Sequence, residues 1–242
     1  MRWTFAAACL TGIVLGGADL HATPITWIEE DFNDLADGAV PEGEVPTGPF
    51  YTEFVPSRGD IGAVGHGEGK VLAFTQDANS PVRFNAVWGA ENVEEQPIVI
   101  EYKYQTPLEG RLRSRHAVLF DDGHLSLYMQ QGSTFDRQRV FVYDGETIGT
   151  YEADTWYTVR FTLNPVTDAF KIDIDGVGSV EGQLDEGNVA TARQMLWISC
   201  VANHDHDGAV VGLLDDVSVI AVPEPGSLGL MGLGALYLLR RR

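Results

Sequence analysis

The sequence predicts an all-β chain, a two-sheet antiparallel sandwich of the jelly-roll type. Three observations predict it. Short runs rich in β-branched and aromatic residues recur between turn signals, and nothing in the middle of the chain reads as a long helix. Within those runs apolar and polar residues alternate, the pattern of strands with one buried face. Asp-Gly dipeptides stand between neighbouring runs at Asp122-Gly123, Asp144-Gly145 and Asp175-Gly176, where tight hairpins need positive φ.

The elements follow in order. Ile25–Phe32 opens the series, and Val71–Thr75, Val82–Trp88 and Ile98–Gln105 come next. Ser114–Phe120, His124–Gln130 and Arg137–Tyr143 form the middle. Trp156–Leu163, Ala169–Asp175, Met195–Val201 and Leu213–Ala221 close it. Residues 36–49 and 89–97 read as long surface loops. Tyr157, Val159, Phe161 and Leu163 share one face of their strand, opposite Trp156, Thr158, Arg160 and Thr162. Phe170, Ile172 and Ile174 stand opposite Lys171 and Asp173, and Leu125, Leu127 and Met129 opposite His124, Ser126, Tyr128 and Gln130.

Both ends differ from this middle. Met1–Arg2, an apolar run from Phe5 to Leu15 and small residues up to Ala22 have the order of a secretory signal peptide, placed at 1–22. Eleven apolar residues are too few to span a bilayer. At the other end Val222-Pro223-Glu224-Pro225 leads into fourteen uncharged residues, Gly226–Leu239, and then Arg240-Arg241-Arg242. As a helix that run reaches roughly 21 Å. That is short against a bilayer core of about 30 Å, so it reads as a marginal anchor helix. The arginines should stay on the cytoplasmic side of the inner membrane.

The working domain is thereby placed at 23–221 and the sorting and anchor segment at 222–242. Within 23–221 there remain 12 basic and 33 acidic residues, a net charge of −21. That balance argues against a nucleic-acid partner, which needs clustered Lys and Arg. It suits an exported, soluble surface. Cys9 lies in the signal peptide, which leaves Cys200 without an intramolecular disulfide partner. Cys200 reads as a buried small hydrophobe.

The tail resembles the PEP-CTERM sorting signal of exported proteins. Its three parts are in order: Pro223-Glu224-Pro225, the apolar Leu228–Leu239 and the basic Arg240–Arg242. The resemblance implies membrane anchoring, processing by a membrane-embedded exosortase, and then a cell-surface or extracellular location. The middle resembles a concanavalin A-like, laminin G-type jelly roll. The stretch Thr155-Trp156-Tyr157-Thr158-Val159-Arg160 through Lys171-Ile172-Asp173-Ile174-Asp175-Gly176 carries that resemblance, with Glu30-Asp31-Phe32 and Leu214-Asp215-Asp216-Val217 at the edges. In such folds the first and last strands lie close together.

The fold hosts lectins, glycosidases, lyases and adhesion modules, so chemistry is sought in residues. Glycosidases of the fold carry Glu-x-Asp-x-x-Glu; the nearest stretch here, Glu29 to Asp34, ends in Asp and reads as an acidic strand end. Lyases use an Arg, Gln, His and Tyr set, and His124, Tyr128, Gln130 and Arg139 supply those types without a motif. His124, Tyr128, Gln130, Arg139, Phe141 and Tyr143 are expected on outward faces, where aromatic and hydrogen-bonding groups can meet a sugar. Two places suit a structural Ca²⁺. One is the turn with Asp205 and Asp207, which is half of a calcium loop but reads first as a solvated polar turn. The other joins Glu30 and Asp31 to Asp215 and Asp216.

These readings combine into an exported, non-catalytic surface or matrix protein that binds polysaccharide. The alternatives are a secreted polysaccharide hydrolase or lyase of the same fold, and a structural coat protein without a ligand.

Overall fold

In a computed structural model, residues 25–39, 59–76, 82–89, 96–107, 112–120, 123–131, 139–184, 193–202 and 209–222 are described. The signal-peptide region 1–22, the turn 203–208 with Asp205 and Asp207, and 223–242 with Pro223, Glu224, Pro225 and Arg240–Arg242 lie outside them. No helix occurs among the described residues, and none is therefore long and apolar enough to cross a membrane.

The first seven strands are β1 (Ile25–Glu30), β2 (Gly59–His66), β3 (Gly69–Gln76), β4 (Val82–Gly89), β5 (Ile98–Gln105), β6 (Leu112–Phe120) and β7 (Gly123–Gln131). The remainder are β8 (Arg139–Tyr143), β9 (Glu146–Thr150), β10 (Tyr157–Asn164), β11 (Ala169–Ile174), β12 (Gly178–Gln183), β13 (Arg193–Ala202) and β14 (Val210–Ala221). They form two antiparallel sheets. The larger runs β12-β11-β10-β5-β14-β3-β2, with β1 also on β14; the smaller runs β4-β13-β6-β7-β8-β9.

Alternation explains how the sheets meet. Val159, Phe161 and Leu163 of β10 are fully buried, as are Leu125, Leu127 and Met129 of β7. They join Phe74, Phe84, Tyr102 and Phe141 in one continuous core. Burying an aliphatic or aromatic side chain contributes about 1.5–3 kcal/mol. Asp144 and Gly145, at φ 45° and 82°, make the β8–β9 turn as Asp-Gly predicts. Between β11 and β12 only Gly176 takes positive φ, and Asp175 does not.

β14 organises the larger sheet. β5 lies along one edge of it. On the other edge β3 pairs with its first half and β1 with its second. The first and last strands are therefore neighbours, as the resemblance implies. Between the halves the β5 register shifts at Asp215–Ser218, and Asp216 takes a φ of 48°. That is a β-bulge, which turns side chains out of the regular alternation.

The predicted first strand ends earlier than expected. Phe32 leaves it at a φ of 58° and is fully buried. A bulky side chain in that region is strained. Backbone amides held by carboxylates offset the strain: Phe32 N–H donates to Glu30 Oε1 at 2.7 Å, and Asn33 N–H to Asp31 Oδ1 at 3.1 Å.

Candidate ligand-binding face and acidic groove

The residues expected to form one outward face are divided between two. On β7, His124 is exposed and Tyr128 and Gln130 are half-buried, all opposite the core positions Leu125, Leu127 and Met129. The register of β8 against β7 pairs Met129 with Phe141 and Leu127 with Tyr143. Directly paired residues share a face, so Phe141 and Tyr143 point into the sandwich. Phe141 is fully buried, its ring 5.2 Å from Tyr157 and 5.4 Å from Tyr151. Tyr143 packs 5.3 Å from Phe170, and burial holds its hydroxyl pKa above the ordinary value. Arg139 shares their parity and pairs with Glu152 at 3.7 Å. The set His124, Tyr128, Gln130 and Arg139 is thus not assembled on one face.

Two arginines that sequence reading left out join the β7 side. Arg113 pairs with Gln130 and Arg115 with Tyr128. The Arg113 guanidinium carbon lies 4.6 Å above the Tyr128 ring and that of Arg115 lies 5.7 Å from it, both in cation–π range. Arg115 Nε–H donates to Ser126 Oγ at 3.0 Å. Arg113, Arg115, Tyr128 and Gln130 therefore form one outer patch over the buried Ser126, with His124 at its end. The available signal was the Arg-Ser-Arg spacing of two, which puts both arginines on one face of a strand.

Of the other expected cluster, Glu30, Asp31 and Asp216 line one groove. It has a volume of about 630 Å³ and is lined by Glu29, Glu30, Asp31, Asp34, Glu101 and Asp216, among others. Burial raises the pKa of Asp215, which does not line the groove, and the charges of Asp216 and Asp31 add to the rise. Asp31 itself is held below its ordinary pKa, chiefly by its bond to Asn33. Asp216 Oδ2 lies 2.5 Å from Lys103 Nζ, and that contact raises the lysine pKa. Carboxylates are the right donors for a hard cation. However, no three His, Cys, Asp or Glu side chains converge around one point among the described residues. An ion here would have to displace the Lys103 ammonium from Asp216.

Of the glycosidase-like stretch, Glu29, Asp31 and Asp34 line this groove, while Glu30 also holds the amide of Phe32.

Comparison places the architecture in a class first. The CBM2 module of the evolved Dit of Lactobacillus casei BL23 phage J-1 superposes with a TM-score of 0.53 at 12% identity, covering 82% of this chain and 96% of that one. A sialidase gives 0.50 at 12% identity over 79% of this chain and 18% of its own. The carbohydrate recognition domain of Emp47p gives 0.48 at 11% identity over 72% and 93%. The sandwich has a concanavalin A-like jelly-roll fold; at these identities the likeness is one of fold alone. No curated protein sequence matches the chain. Residues 221–242 match the PEP-CTERM protein-sorting motif, so the chain carries that signal at its C-terminus. The motif implies an exported protein that is recognised by an exosortase and is membrane-anchored before processing.

Proposed function

We propose that this is a non-catalytic, polysaccharide-binding protein of the cell surface or extracellular matrix, released there from its membrane anchor by exosortase processing. The observation that carries the binding half is the outer patch of β6 and β7. An aromatic ring braced by guanidinium groups stands there among amide and imidazole groups, a surface suited to sugar rings and their hydroxyls. The fold class supports the same reading. The experiment is a glycan array probed with the full-length chain in mild detergent. Binding that Tyr128→Ala weakens at least tenfold supports the reading; an array with no signal overturns it.

A second reading concerns the groove, where six carboxylates invite a structural Ca²⁺ that would draw on Glu30, Asp31, Asp215 and Asp216. An ion that binds only the folded state stabilises it by mass action, by about 2.7 kcal/mol at a hundred times its dissociation constant. The expected outcome is a melting temperature higher in millimolar Ca²⁺ than in Mg²⁺ at matched ionic strength, with a larger gap in Lys103→Met. Equal melting temperatures in Ca²⁺ and EDTA would remove the ion.

A further inference from the structure

Charge is divided between the two sheets. The eight strands of the larger sheet contain eight acidic residues, Glu29, Glu30, Asp60, Glu101, Asp173, Glu181, Asp215 and Asp216, against four basic ones. Each of those four is tied up in an ion pair: Lys70 with Asp37, Lys103 with Asp216, Arg160 with Glu101 and Lys171 with Asp173. The six strands of the smaller sheet reverse the balance. They contain Arg83, Arg113, Arg115, Arg139 and Arg193 against the single acid Glu146. A chain with 35 acidic residues against 16 basic ones thus keeps the strands of one sheet almost free of acid.

Arg113 is exposed, and its guanidinium is braced on Tyr128. Arg115, two residues along the same strand and roughly 7 Å away, is oriented by Ser126. Guanidinium groups in a fixed orientation match carboxylate oxygens in pairs, and Arg is better suited to this than Lys. Two such groups at a regular spacing, beside Gln130 and His124, fit a polymer whose repeating units alternate hydroxyls with negative charges. The acidic remainder of the molecule would repel that polymer everywhere else, so the patch sets the orientation of binding.

We propose that the outer face of β6 and β7 binds an anionic, carboxylate-bearing polysaccharide, with Arg113 and Arg115 as the charge-reading residues. The proposal rests on the polysaccharide-binding reading and names its substrate class.

The test uses the full-length chain in mild detergent, with polygalacturonate, alginate and a neutral β-glucan as probes in affinity electrophoresis and titration. The expected result is retention by both acidic polymers and little by the glucan, falling at least tenfold between 50 and 300 mM salt. Arg113→Gln should weaken it about tenfold, and Arg113→Lys should restore only part. Arg160→Gln, on the other sheet, should leave it unchanged; equal loss in that variant overturns the assignment to this face. Equal, salt-insensitive binding of the glucan and the acidic polymers would overturn the inference and leave polysaccharide binding standing. Retention by none of the three, with a neutral or differently charged glycan bound on an array, overturns the inference alone; silence in both removes both readings. Self-association at low salt that Arg113→Gln abolishes, without polymer binding, would assign the face to a second copy of the chain and overturn it.

Discussion

At the scale of single residues, His116 is the clearest case of chemistry suppressed by packing. It is fully buried, with Nδ1 2.7 Å from Tyr102 Oη and Nε2 2.8 Å from Ser114 Oγ. Burial lowers its pKa from 6.5 to about 3. Below pH 6.5 the unfolded chain takes up a proton that the folded one refuses. Stability present above 6.5 is therefore lost as pH falls towards 3, by up to about 1.4 kcal/mol per pH unit. Denaturation midpoints at pH 7 and pH 5 should differ by about 2 kcal/mol in the parent, and His116→Gln should flatten the difference. An unchanged slope in that variant would locate the acid sensitivity elsewhere. Phe161 offers a simpler test. It is fully buried, so Phe161→Ala should cost roughly 3–5 kcal/mol and Thr158→Ala much less. Trp156 is half-buried against Val71, Ala73 and Leu213, away from the main core, and its ring meets that of His66 edge-on at 5.6 Å. Trp156→Ala should fall between the two. A Phe161→Ala midpoint equal to that of the parent would contradict the packing.

At the scale of elements, what sequence could show depended on how much apolar surface a strand buries. β7, β10 and β11 have one apolar parity each, and their faces were read correctly. β8 is Arg-Val-Phe-Val-Tyr, apolar on both parities, and alternation cannot choose between its faces. Only its register against β7 decides that Phe141 and Tyr143 go inward. The strands missing from the expectation, β2, β9 and β12, are all edges of their sheets. β2 holds three glycines and β12 two, and β9 is largely exposed, so none announces itself by composition. The site was legible in the same uneven way. The acidic groove could be anticipated because adjacency of the first and last strands comes with the fold. Of the arginine patch, spacing shows only that Arg113 and Arg115 share a face; their seat on Tyr128 depends on pairing between β6 and β7. β14 carries a further prediction, since its last residue is also the first of the sorting motif. A chain ending at Ala221 keeps every ladder partner of β14 and loses the signal. In cell fractionation it should leave the membrane fraction, while the full chain is retained; identical distributions would dissociate location from the tail.

At the scale of the whole molecule, the separation of charge between the sheets turns a net negative body into a polar one. The ionic pairs that neutralise the cations of the larger sheet are at least partly open to water and contribute little stability each. Their effect is on the field: they neutralise the cations of that sheet and leave its acids in excess. The placement of β14 has a mechanical consequence as well. Its second half lies between β1 and β5, and Val222 N–H still donates to Pro97 O at 2.8 Å just beyond it. A pull transmitted along the chain reaches the sandwich through this strand. Sliding β14 out would require both ladders to shear at once, so the load is shared among many hydrogen bonds instead of being met one at a time as in unzipping. A load that reaches this strand is therefore met by two ladders together, at the point where it arrives.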